Sequence, residues 1–307
     1  MMKISPSLSI LLVLTLLLAA ACGAAQSTPE STPVNASSQT KPLNIAHRGA
    51  RSLAPENTMA AAQAALDAGA DMWELDVAVT ADGELVLLHD DTLERTSNAR
   101  DVYPERLPWM VNTFSLEELR ALDFGSWFNH QDPYKQIAQG AVTQEMQQSY
   151  VGEPIPTLRE ALTFTRDNDW RVNVEIKDAT STPADQDVVE KVVALIDELG
   201  MADRVVISSF NHSYLTRAKA ANPAIDTAAL VEQGSRDPAA LVKELGAEGY
   251  NPNYKHINAR DVPALRAAGV DVYVWTVNDV NVMRGLIENN ATGIITDFPQ
   301  MLREELQ

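Results

Sequence analysis

Glu74 and Asp76 stand two residues apart in "MWELDVAV", a run otherwise apolar enough to be a buried strand. Side chains two apart on a strand share a face. Two carboxylates in a low-dielectric interior are costly unless positive charge lies between them. A second run, "VNVEIKD", repeats the arrangement: Val172, Val174 and Ile176 alternate with Asn173, Glu175 and Lys177. If that polar set faces the same interior, Glu175 joins the pair. Three carboxylates with no clustered cysteine select one hard divalent cation, Mg²⁺ or Ca²⁺, over zinc. The pattern equally fits a salt-bridged interior neutralised by Lys177 or Arg48, and spacing leaves both readings open.

Proton transfer needs a second kind of residue. His47 and His89, two of five histidines, each end an apolar run, in "NIAHRG" and "ELVLLHDD". A lone histidine at a strand end is ordinarily structural. Two beside an acidic cluster suit acid–base chemistry, because an imidazole titrates near about 6.5. His130, His212 and His256 receive no role. Trp275, in "VYVWTVN", either walls a pocket or fills the top of the fold.

The elements that must position these groups alternate. Strands are predicted at 43–46, 72–79, 84–89, 171–176, 204–208, 226–230, 248–251, 271–276 and 293–296. Helices are predicted at 58–68, 158–168, 185–199, 212–221, 238–245, 260–268, 279–288 and 299–305. Such alternation predicts a parallel sheet, most simply a (β/α)8 TIM-type barrel. Only Thr80 to Gly83 separate the second and third strands, too few residues for a parallel crossover. Asp82-Gly83 is a hairpin signal, so 72–89 forms an antiparallel arm. A two-residue loop pairs Ala81 with Glu84 and sets Asp76 opposite His89. It also places Val86 and Leu88 on the face of Leu75, Val77 and Val79. Asn57 is expected to cap the first helix and Gly69 to end it. Ser115 with Glu118, and Thr157 with Glu160, fit capping boxes.

Residues 92–156 interrupt the alternation and hold eight aromatics, among them Trp109, Trp127 and Phe128. They fit a cap over one end of the barrel, with His130 to Tyr150 as loop. The chain has 307 residues, 45% apolar, with a formal net charge of −18 and a pI near 4.6. That length accommodates one barrel. The acidity disfavours nucleic acid and anionic membrane surfaces.

The first segment reads as targeting. Lys3 precedes the apolar run Ile10 to Leu18, then Ala19-Ala20-Ala21, giving a signal peptide at 1–21. The run is too short to be read first as a membrane span. Cys22, the sole cysteine, follows directly and resembles the lipidated residue of a bacterial lipoprotein, although Ala19 stands where such signals usually have leucine. The Ser/Thr/Pro-rich stretch 22–41 reads as a tether, leaving 42–307 as one barrel domain. The expected location is the cell envelope, with membrane contact only through the anchor.

Taken together, "IAHRGARSLAPENTMAA", "GADMWELDVAVTADGELVLLHDDTLERTSN", "FSLEELRALDFGSWF", "IPTLREAL", "VNVEIKD", "VVISSFN", "VYVWTVND" and "GIITDFP" resemble the glycerophosphodiester phosphodiesterase family. They span nearly the whole chain after residue 43. The departure is the long stretch His130 to Val151, commonly shorter in that family. The resemblance implies a phospholipase-C-like barrel and metal ligation by Glu74, Asp76 and Glu175. It implies His47 and His89 as the acid–base pair, Arg48 and Lys177 as phosphate contacts, and Phe210 and Trp275 as substrate-lining residues. The implied substrates are glycerophosphodiesters, cleaved to glycerol 3-phosphate and an alcohol. A lysophospholipase D or sphingomyelinase D type of the same fold is the alternative. A tethered phosphodiester-binding protein is a third reading, opposed by the intact set of chemical residues.

Overall fold

The computed structural model describes residues 41–307. The signal segment, Cys22 and the tether up to residue 40 lie outside the described residues. Among those described, nine strands form one sheet: β1 (Leu43–Ala46), β2 (Met72–Val79), β3 (Leu85–Leu87), β4 (Arg171–Ile176), β5 (Val205–Ser209), β6 (Asp226–Val231), β7 (Gly249–Pro252), β8 (Asp271–Val274) and β9 (Gly293–Thr296). Their order is β1-β9-β8-β7-β6-β5-β4-β2-β3, and β1 also pairs with β2. All pairings are parallel except β2 with β3, so eight strands close a barrel and β3 hangs on it as an antiparallel arm.

The sequence pattern explains the layers. Leu75, Val77, Val172, Val174, Ile176 and Ile207 face outward into a core shared with the surrounding helices. Ile45, Met72, Val206, Ala228, Tyr273 and Ile295 form a smaller cluster within the barrel. The polar set of β2 and β4 alternates with the outward set, and so faces the interior. The helix Leu158–Asp167 starts with the expected capping box of Thr157 and Glu160, and Leu116–Arg120 with that of Ser115 and Glu118.

Three expectations are corrected. The hairpin pairs Val77 with Leu87, Ala78 with Val86 and Val79 with Leu85. Thr80 therefore faces Glu84 across a three-residue loop, in which Gly83 takes a φ of 85°. Asp-Gly fits this longer loop as well as the two-residue one. The shift puts Leu88, not His89, opposite Asp76, and sends Val86 and Leu88 to the other face. There they pack on the insertion with Leu93, Trp109 and Phe114.

The cap of the first helix, Met59–Asp67, is Thr58, whose hydroxyl accepts from the Ala61 N–H at 3.1 Å. Asn57 is engaged elsewhere, as described below. Within His130 to Tyr150, Gln144–Ser149 forms a helix capped by Thr143. The 92–156 insertion packs against the hairpin and, through Phe128, Val142 and Tyr150, against Ala54 and Ala61 beside the first helix. It also reaches the segment after β9, where Tyr134 meets Phe298 edge to face at 5.6 Å.

Gly49 follows the end of β1 with a φ of 79°, and a β-carbon there would lie 2.6 Å from the Ala61 backbone. Only glycine lets the chain turn this closely under the first helix. That turn is what leaves His47 and Arg48 at the mouth of the barrel.

Candidate active site

The C-terminal ends of the strands surround a cavity of about 90 Å³ that opens to solvent. Its walls include His47 and Arg48 after β1, Glu74 on β2, His89 after β3, Asn173 and Glu175 on β4, Ser208 on β5, Phe210, and Trp275 after β8. Among the described residues, none of this lining comes from 92–156. Phe210 and Trp275 meet edge to face at 5.6 Å, and the indole N–H is anchored to the Asn251 carbonyl at 2.8 Å.

β2 and β4 assemble the acidic cluster by register: Asp76 lies beside Glu175, and Glu74 beside Asn173. Glu74, Asp76 and Glu175 each offer an oxygen within 4.8 Å of the others, and all three are buried. The salt-bridged reading holds in part. Arg48 Nε lies 3.3 Å from Asp76, and Lys177 Nζ lies 2.7 Å from Glu175 and 3.6 Å from Asp76. Two cations do not balance three carboxylates. Burial and the neighbouring carboxylates push Glu74 well above the usual carboxylate range, and Glu175 is also raised. Burial acts in the same sense on Asp76, but Arg48, Lys177, His89 and the Asn57 hydrogen bond hold it low.

Asn57 supplies that bond from a left-handed backbone with φ of 55°. Its amide donates to Asp76 Oδ2 at 2.8 Å, and its oxygen accepts from the Asp76 N–H at 3.1 Å. Asp76 Oδ1 is left buried without a hydrogen-bond partner. An uncompensated charge, two raised carboxylates and an orphaned buried oxygen fit a divalent cation held by Glu74, Asp76 and Glu175.

Each histidine has its own carboxylate. His47 Nδ1 meets Asp297 Oδ1 at 2.7 Å, and Asn278 steadies the other oxygen of Asp297 at 2.7 Å. His89 Nδ1 meets Asp90 Oδ1 at 2.7 Å. Burial, with the Arg48 cation, lowers His47 to about 4. The ring is then neutral at ordinary pH, with Nδ1–H donating to Asp297 and Nε2 as the basic atom.

Residues 47–301 match the glycerophosphoryl diester phosphodiesterase family. The chain belongs to that family. A glycerophosphodiester phosphodiesterase of Caldanaerobacter subterraneus subsp. tengcongensis is 35% identical over 262 residues, covering 85% of this chain and 96% of that protein. One from Bacillus subtilis is 31% identical over 290 residues, covering 89% and 91%. Among solved structures, an Oleispira antarctica phosphodiesterase in complex with the product sn-glycerol-3-phosphate superposes with a TM-score of 0.69 at 27% identity, covering 86% of this chain and 96% of that one. The barrel and its hairpin arm are thus set within a family of phosphodiesterases.

The structure brings His47, Arg48, Glu74, Asp76, His89, Glu175, Lys177, Phe210 and Trp275 to one mouth of the barrel. Cys22 lies outside the described residues. Sequence reasoning gave no role in the site to Asp297, Asp90, Glu56 and Arg95, and read Asn57 only as a helix cap. Asp90 adjoins His89 and could have been read from "HDD"; Glu56 and Asn57 lie in "PENT". Asp297 offered no local signal, being 250 residues from its partner.

Proposed function

We propose that the chain hydrolyses glycerophosphodiesters to sn-glycerol 3-phosphate and an alcohol, with His47 and His89 as base and acid. The observation that carries this reading is two histidines, each held by a carboxylate, on one cavity with a buried carboxylate triad. Family membership supplies the substrate class.

Glu74, Asp76 and Glu175 would hold the cation, which when bound supplies Lewis-acid charge at the phosphoryl group. Arg48 and Lys177 add fixed positive charge where the phosphoryl oxygens gain negative charge. His47 starts neutral and takes the proton of the attacking hydroxyl, from water or from the glycerol of the substrate. That oxygen bonds to phosphorus as the bond to the alcohol oxygen breaks. His89 gives its proton to the departing alkoxide. If glycerol attacks first, water then opens the cyclic ester, and the net reaction consumes one water either way. Phe210 and Trp275 form an apolar wall of the cavity that would receive the substrate.

The choice between Mg²⁺ and Ca²⁺ belongs to cavity size and ligand number. Export and lipidation at Cys22 form a further part of the proposal, supported by the signal-like run before it. Cys22→Ser is expected to move the chain from the membrane fraction to the soluble one, and unchanged fractionation contradicts anchoring.

The function is tested by offering glycerophosphocholine and lysophosphatidylcholine in parallel. Release of glycerol 3-phosphate from the first at the higher kcat/KM is expected. Preferential cleavage of the second to lysophosphatidic acid overturns the reading in favour of a lysophospholipase D. The His47 environment sets the pH dependence. A base with pKa lowered toward about 4 stays competent as pH falls below 6.5. The acidic limb of kcat/KM is therefore expected well below 6.5, and a limb at or above 6.5 contradicts His47 as the base.

A further inference from the structure

Glu56 is 5% exposed and faces three guanidinium groups. Arg48 Nη1 donates to Oε1 at 2.8 Å, and Arg51 Nη2 lies 2.9 Å from Oε2. Arg95 makes a two-pronged contact, Nη2 to Oε1 at 2.7 Å and Nη1 to Oε2 at 3.0 Å. Burial opposes ionisation of Glu56, but the three arginines hold its carboxyl far below the usual range. Each of the three guanidinium groups also faces a second carboxylate, Arg48 that of Asp76, Arg51 that of Asp297 and Arg95 that of Asp90.

The arginines do not stop at Glu56. Arg51 Nε reaches to 3.7 Å from Asp297 Oδ1, the oxygen that orients His47. Arg95 Nε donates to Asp90 Oδ2 at 2.6 Å, and Asp90 orients His89. The path runs His47, Asp297, Arg51, Glu56, Arg95, Asp90, His89. The insertion braces both arms: Tyr134 stacks on Arg51 at 5.4 Å, and Trp127 on Arg95 at 6.0 Å. On the His89 side the Arg95 hydrogen bond leaves Asp90 little freedom, whereas on the His47 side Arg51, held by Glu56 and Tyr134, acts on Asp297 through charge at 3.7 Å.

We propose that Glu56 is a positioning residue that ties the two histidine–aspartate pairs into one unit, acting through Arg51 on the His47 side and Arg95 on the His89 side. This rests on the acid–base roles given above. Glu56 is absent from the cavity walls, and Arg48 links it to the phosphate side as well. Groups that orient reacting side chains typically carry about 10–100-fold of activity.

The test compares the full chain with Arg95→Met, Glu56→Gln and the double variant, on glycerophosphocholine and on the p-nitrophenyl ester of glycerol 3-phosphate. Arg95→Met loosens only the His89 arm, so kcat for the choline ester should fall about 10–100-fold. The p-nitrophenyl ester, whose leaving group needs no proton, should stay within about 3-fold. Glu56→Gln should lower kcat on both esters, the choline ester more. The double variant should be no worse than Glu56→Gln by more than about 3-fold, because both act on one path. Equal losses on the two esters in Arg95→Met, or multiplied losses in the double variant, overturn the proposal. Should Glu56→Gln not fold, Arg95→Met decides alone, since its side chain is 37% exposed and removable without opening the core. Wild-type chain that turns over neither ester overturns the functional reading and this inference together. Wild-type turnover without the leaving-group split overturns the inference alone.

Discussion

His89→Ala is expected to lower kcat/KM for glycerophosphocholine about 10²–10⁴-fold, the usual worth of a positioned general acid. That is roughly 3–5 kcal/mol of transition-state stabilisation. The choline alkoxide is a poor leaving group and requires the proton that His89 brings. A p-nitrophenolate leaves without it, so the same variant should lose far less on that ester. The structure gives the reason for choosing this histidine. His47 is buried beside Arg48 and neutral, which suits a base. His89 instead stands after the hairpin arm beside Asp90, and its electrostatic contacts include Asp76 and Glu175. Equal losses on both esters would remove His89 from the acid role. His47→Ala, by contrast, should impair both esters alike, because the attacking hydroxyl must lose its proton whatever leaves.

Adding Mg²⁺ or Ca²⁺ to the metal-stripped chain is expected to raise Tm by about 5–10 °C, taking roughly 2.7 kcal/mol for a cation at a hundred times its Kd. The pH dependence of this gain follows from the carboxylates. Glu74 and Glu175 have folded pKa values raised above those of the unfolded chain. Without cation the folded state therefore binds protons more tightly, and stability falls as pH rises from the ordinary carboxylate range through the raised values. Asp76 has the opposite sign, being held low by Arg48 and Lys177, but its window lies below the ordinary aspartate value. A cation replaces the protons that Glu74 and Glu175 give up, so the gain should be larger at pH 8 than at pH 5. A gain independent of pH, or one that survives Glu175→Gln undiminished, places the cation elsewhere.

The sequence made the acidic cluster visible because strand side chains alternate. Glu74 with Asp76, and Asn173 with Glu175, had to share faces once their strands were recognised, and the β2–β4 register set them together. The hairpin was legible from Thr80 to Gly83, but its register was not. Asp-Gly serves two loop lengths, and Gly83 at positive φ closes the longer one. His89 still enters the cavity, because β3 ends at Leu87 and the chain is free to turn inward. The positioning residues were hidden for a different reason. Asp297 meets His47 only because β9 lies beside β1, a contact made by barrel closure and by no local spacing. Glu56 sits in a loop whose composition suggests only a helix start, and its three arginines are gathered by the turn at Gly49 and by the insertion. The Gln-rich part of that insertion looked like loop, yet Thr143 caps a helix within it.

The central claim is that the triad and the histidine pair make one phosphodiesterase site. Its most direct measurement is sn-glycerol 3-phosphate release from glycerophosphocholine by chelator-treated chain, titrated with Mg²⁺ or Ca²⁺, beside Glu175→Gln. The account predicts negligible release without cation, recovery that saturates on titration, and a variant that needs far more cation or fails to recover. Full release in the presence of chelator, or full recovery of Glu175→Gln at the wild-type cation concentration, would contradict it.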